Sequence, residues 1–268
     1  MVKILALYPT LILSLLFGFG WKIGHVNLPG NPTIQAKNGL SRPAEIIPTE
    51  IIQEMIDQVD QERALTDLRR LTGVEPICTS KGCTTISGRE TESEDLQWAK
   101  DYVYESLVSM HYSVEVLDWD HDGLSDQNII ATKPGLLYPD EAIYFIAHLD
   151  GYLSDNPAAD DDASGAVSLL ELARVLSRHP LSRTVVIFFS TGEEHGSLGS
   201  YKFVEDYPER LAAIKYVVSV EMLGYDSNDD GVMELWNGSQ PVDFVQLLVD
   251  IINAYPLDME PQIVSGCT

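Results

Sequence analysis

The chain has 268 residues, too many for a disulfide-stapled miniprotein and enough for one large α/β domain or two small ones. Its hydrophobic share of 45% and charged share of 22% exclude global disorder. With 41 acidic against 17 basic residues the net charge is −24. Nucleic acid and anionic lipid, which are gripped by Lys and Arg displacing counterions, are therefore poor partners, and multivalent cations are good ones.

Residues Ile4 to Phe19 are almost wholly apolar, follow Lys3 and end at the small residues around Gly20. About 16 apolar residues broken by Pro9 fall short of the roughly 20 that span a bilayer. Residues 1–20 read as a secretory signal peptide, with an uncleaved amino-terminal anchor as the alternative. The expected location is secreted or periplasmic, or membrane-anchored through this segment. Export would expose Cys78 and Cys83 to oxidising conditions, where they can close a small loop, leaving Cys267 odd. Residues 21–48, with four prolines, read as a linker to a single domain over 49–268.

That domain opens with an expected helix capped by Thr49, its apolar face formed by Ile52, Met55, Ile56, Val59, Leu65, Leu68 and Leu71 and its end marked by Gly73. A second helix is expected over Ser93 to Met110. Beyond residue 113 short β-rich runs alternate with helical stretches: 114–117, 128–132, 142–147, 184–190, 216–220 and 232–236, with helices at 164–177, 197–206 and 242–254. Continuous apolar runs such as Thr184 to Phe189 predict an α/β fold, a mostly parallel central sheet with helices on both faces. In such sheets ligands bind beyond the carboxyl ends of the strands.

Those ends are rich in metal-ligating groups. His148 and Asp150 follow one buried run, Glu193 and Glu194 the next, and Glu221 a third, with Asp160-Asp161-Asp162 between the first two. Each alone has a plainer reading: a hydrogen-bonded core histidine, an acidic turn, a helix start favoured by negative charge. Together they would repel strongly unless a cation were shared, since like charges about 4 Å apart cost several kcal/mol at intermediate dielectric. Imidazole with carboxylates and no thiolate fits zinc better than calcium, and so many donors suit two ions sharing a bridge.

Four stretches carry a resemblance: His148-Leu149-Asp150-Gly151, Ala159 to Gly165, Gly192-Glu193-Glu194-His195-Gly196 and Glu221 to Tyr225. Together with Ile86 to Arg89 they resemble the co-catalytic zinc aminopeptidases of the M28 peptidase family. The resemblance implies a phosphorylase/hydrolase-like zinc-peptidase architecture and peptide substrates; no stable protein partner can be inferred. It implies that Asp161 bridges two zinc ions, His148 and Glu221 complete one set, and Glu194 binds the other ion. It further implies Glu193 as general base, Asp150 as the residue holding the His148 tautomer, and a cis bond between Asp161 and Asp162. Glu221 stands where the family more often has Asp. The family's last ligand, a histidine in a Ser-Asp-His context, matches none of the six histidines, at 25, 111, 121, 148, 179 and 195. The chain is therefore expected to be truncated at its carboxyl end, with activity conditional on completing it. The alternatives are a glutaminyl-cyclase-like single-zinc acyltransferase and a non-catalytic binding module.

A second cation signal lies at Asp118, Asp120 and Asp122 before Gly123, and again over Asp226 to Gly231. Both open like calcium loops but carry Ile129 and Asn237 where an EF-hand needs a bidentate Glu. A looser calcium loop and a solvated turn joining two strands are the two readings left.

Overall fold

A computed structural model describes residues 47–226, 230–237 and 242–265. The expected signal segment, almost all of the linker and Cys267 lie outside the described residues, as does the middle of the Asp226–Gly231 stretch. Among the described residues no helix is long and apolar enough to cross a membrane.

The single helix expected over 49–71 is two: α1 (Glu50–Asp57) and α2 (Gln61–Leu71). The break has a local cause. Asp60 adopts an extended backbone and its carboxylate accepts the Arg63 N–H, so it caps a new helix instead of continuing the old one. Thr49 precedes α1, but its side chain makes no capping bond. A hairpin of β1 (Ile77–Thr79) and β2 (Gly82–Thr84) follows, with Cys78 directly opposite Cys83 and disulfide-bonded to it. Then comes α3 (Glu94–Ser109), capped by Ser93, whose hydroxyl accepts the Leu96 N–H.

The central sheet contains β3 (Ser113–His121), β4 (Leu124–Lys133), β5 (Tyr138–His148), β6 (Arg183–Ser190) and β7 (Ile214–Ser219), in the order β3-β4-β6-β5-β7. It is mixed, which corrects the expectation of a mostly parallel sheet. β5 runs parallel to β6 and β7, whereas β4 runs antiparallel to both β3 and β6. The reason is the Asp122-Gly123 turn, where both residues have positive φ (51° and 85°) and so close a tight hairpin whose twist matches its strands.

Helices α4 (Gly165–Ser177), α5 (Leu198–Asp206) and the short α6 (Pro208–Leu211) follow β5 and β6. All eight residues of β6 are buried, as befits a strand paired on both sides and covered on both faces. Alternate residues serve two cores. Val185, Ile187 and Phe189 face one with α3 and α4, while Val186 and Phe188 face the other with Phe203 of α5. Burial of each such side chain contributes about 1.5–3 kcal/mol. A two-stranded parallel sheet, β8 (Val232–Asn237) and β9 (Glu260–Ser265), packs with α7 (Val242–Ala254). Phe244 of α7 stacks on Tyr216 of β7, and Leu247 and Ile251 of α7 meet Ile52 of α1.

Candidate metal centre

The parallel trio β6-β5-β7 ends on one edge, with His148 in register with Ser190 and Ile146 with Ser219. His148 is the last residue of β5 and is 3% exposed. Its Nε2 lies 2.8 Å from Asp161 Oδ1, and ligand atoms of His148, Asp161 and Glu221 lie within 4.8 Å of one another. Three residues from three different segments thus meet in one place, and among the described residues this is the one group able to hold a metal ion. Glu193 Oε2 stands 4.0 Å from the same imidazole nitrogen. Glu194 is outside the compact group, although its carboxyl feels Asp161 strongly enough to be raised, after partial burial, by that neighbour.

Asp161 and its neighbour Asp162 are used differently. Asp161 is half-open to solvent beside His148, and the peptide between the two aspartates is cis. Asp162 is fully buried and accepts main-chain N–H groups from Gly165 (2.9 Å), Met222 (3.2 Å) and His148 (3.3 Å). It joins the ends of β5 and β7 to the start of α4, whose amino-terminal dipole suits a carboxylate. Burial pushes the Asp162 carboxyl well above the usual range against these donors and His148. Gly165 is required here, since a Cβ would sit 2.2 Å from the Val220 carbonyl oxygen and 2.4 Å from Asp162 Oδ1.

Asp150 is also fully buried. Its carboxylate oxygens accept the N–H groups of Glu193 and Glu194, both at 3.3 Å, and the Thr91 hydroxyl at 3.2 Å. The nearest carboxylate oxygen is 3.6 Å from His148 Nδ1, whereas the Asp150 main-chain carbonyl is at 3.1 Å. The Asp150 main-chain carbonyl is thus the nearer partner of Nδ1, and its carboxylate grips the Glu193-Glu194 turn. Burial would raise Asp150, but His148 and those two N–H groups hold it below the usual carboxylate range.

Burial alone would lower His148; the carboxylates of Asp150, Asp162 and Glu193 overcome this and carry the imidazole up to about 10. Partial burial, opposed by His148 and aided by Glu193 and Asp161, raises Glu221, although much of its surface is open. The pocket is therefore short of positive charge at the point where its donors converge, and one imidazole with two carboxylates fits a zinc ion there.

Sequence reasoning assigned no role to Arg89, Thr91 or Asp162. Arg89 is fully buried and donates to the carbonyls of Leu149, Leu71, Pro157 and Ala158 beneath the three aspartates. Burial lowers it to about 10, with Asp162, Asp150 and Asp161 acting in the opposite sense. Only the Ser87-Gly88-Arg89 stretch pointed toward it, since a single buried arginine leaves no periodic trace.

Of the two readings left for Asp118, Asp120 and Asp122, the geometry favours a solvated turn joining two strands. Asp118 and Asp120 lie along extended β3, opposite Gln127 and Ser125, and Asp122 sits in the two-residue turn. Asp118 accepts the Gln127 side-chain amide at 2.7 Å.

The sequence profile of Peptidase family M28 matches residues 128–258, a span holding every one of these strand-end ligands. Over that span the chain is similar to peptidase family M28. A probable zinc metalloprotease of Pyrenophora teres f. teres (strain 0-1) is 23% identical over 214 residues, covering 71% of this chain and 44% of the relative. A probable aminopeptidase of Saccharomyces cerevisiae is 24% identical over 253 residues, covering 85% of this chain and 62% of the relative. The crystal structure of LapB from Legionella pneumophila matches with a TM-score of 0.69 at 21% identity, over 84% of this chain and 60% of that one. Porphyromonas gingivalis glutaminyl cyclase matches at 0.52 and 22%, over 66% of this chain and 63% of that one. The chain spans between 44% and 63% of the length of these four proteins.

Proposed function

We propose that this chain is the metal-binding and catalytic part of an exported aminopeptidase that removes amino-terminal residues from peptides with a two-zinc site. The observation that supports this best is the meeting of His148, Asp161 and Glu221 within 4.8 Å, with Glu193 beside them. Those three residues would hold one zinc; Glu194, sharing Asp161, would belong to the second. Bound zinc supplies Lewis acidity toward a carbonyl oxygen and an attacking water.

The chain's own groups do the rest. Glu193, not itself a ligand, takes the proton from the water and passes it to the leaving amine. Its main-chain N–H is anchored on Asp150 and its Oε1 accepts the Ser197 hydroxyl at 3.2 Å, so the carboxylate is held in place beside His148. Carboxylate oxygens not engaged by metal accept hydrogen bonds from the substrate's ammonium group, favouring peptides with a free amino terminus. Glu193→Gln should lower peptide hydrolysis by about 10²–10⁴-fold with zinc content unchanged. Hydrolysis at the parent rate would remove Glu193 from the role of base.

A second reading, a single-zinc acyltransferase like the glutaminyl cyclases, draws on the one compact ligand group among the described residues. Elemental analysis of the full-length protein separates the readings: near two zincs per chain for the peptidase, near one for the cyclase and near zero for a non-catalytic binding module.

A further inference from the structure

We propose that Thr91 is a positioning residue for the metal centre, acting through Asp150; this rests on the metal-centre reading above. Asp150 is the hub that fastens the turn carrying Glu193 and Glu194 to the end of the strand carrying His148. Its two main-chain donors come from that turn, at 3.3 Å each, and move with it. The Thr91 hydroxyl, 3.2 Å from Asp150 Oδ2, is the donor that comes from elsewhere in the fold, and it is 7% exposed. It can therefore hold the carboxylate rotamer against the rest of the molecule.

The segment bearing Thr91 is itself clamped on both sides. The Arg89 carbonyl accepts the Gly151 N–H at 2.9 Å, tying the segment to the residue after Asp150. The Glu92 N–H donates to Asp126 Oδ2 at 2.8 Å, and Asp126 forms a buried ion pair with Lys100 of α3. Glu92 takes a left-handed backbone, φ 67°, to make that turn, and α3 starts immediately after Ser93. The hydroxyl is delivered by a fixed main chain. Residues that orient metal ligands from behind typically change metal affinity or activity 10–100-fold when lost. Thr91 also lies outside the 128–258 span that matches the family profile, so its contribution comes from a part of the chain that profile does not describe.

The test compares Thr91→Val, which keeps the shape and loses the donor, with Thr91→Ser, which keeps the donor. Zinc affinity of the full-length protein is read by competition with a chromogenic chelator, and kcat and KM with an aminoacyl anilide. Thr91→Val should bind zinc about tenfold more weakly and lose kcat with KM near that of the parent, and Thr91→Ser should recover both to within about twofold. Parent-like affinity in Thr91→Val, or equal loss in both variants, would overturn the proposal while leaving the metal centre standing. A parent protein without zinc affinity would overturn both together. If Thr91→Val does not fold, Thr91→Ala set against Thr91→Ser supplies the same contrast.

Discussion

Two stretches of this chain are similarly dense in carboxylates, Asp118 to Asp122 and Asp160 to Asp162, and the fold treats them in opposite ways. The first is drawn out along an edge strand and a tight turn, so that its charges stay apart in water. The second is folded into a wide turn over Ala159–Ser164 between a strand end and a helix start, where one carboxylate meets His148 and the next is buried. Local acidity is the same kind of signal in both. What separates them is whether other segments arrive at the same point.

The largest effect that would sharpen this contrast lies within the second stretch. Asp162→Ala would remove the acceptor of three main-chain N–H groups, two of them buried, and should cost about 3 kcal/mol or more in urea unfolding, with zinc present or absent. Asp161→Ala should abolish zinc binding yet change the metal-free stability by no more than about 0.5 kcal/mol. If the two variants behaved alike, the division between a ligand and a scaffold carboxylate would fail.

A smaller effect concerns pH. The Glu194 carboxyl is raised by burial and by Asp161, so its stabilising contribution is complete below the ordinary value of 4.5 and is lost as pH rises through its folded value. In metal-free protein, Glu194→Gln should therefore be more stable than the parent at neutral pH, and the difference should shrink as pH falls toward 4.5. A Tm difference that does not change with pH would contradict the crowding of Glu194 against Asp161.

The smallest effect is expected on the hairpin. The double change Asp118→Asn with Asp120→Asn should shift stability by less than about 0.5 kcal/mol and leave zinc content alone, and calcium should not move the parent's Tm. A calcium-dependent rise in Tm that the double variant abolished would break the contrast between the two acidic stretches.

Much of this was legible before any coordinates. The β6 run showed as continuous apolar sequence because a strand buried on both faces cannot alternate. His148, Asp161 and Glu221 were legible as a set because each follows a core run or precedes a helix. The break between α1 and α2 was not, since apolar residues continue at helical spacing across it and only the Asp60 cap decides the matter. The antiparallel placement of β4 was hidden in two turn residues, and the scaffold duties of Arg89, Thr91 and Asp162 depend largely on contacts with segments 14 to 69 residues away.

Short-range chemistry is written along the chain: which runs are buried, which residues can bind a cation, and how acidic the whole is. Residue type and spacing suffice for those properties because they act over one strand or one helical turn. Which carboxylate faces the imidazole, which is sealed beneath it, and whether a string of aspartates gathers or spreads were settled only when β5, β6 and β7 came to rest side by side. Electrostatic interaction weakens with distance and strengthens with burial, and neither quantity exists until the chain has packed.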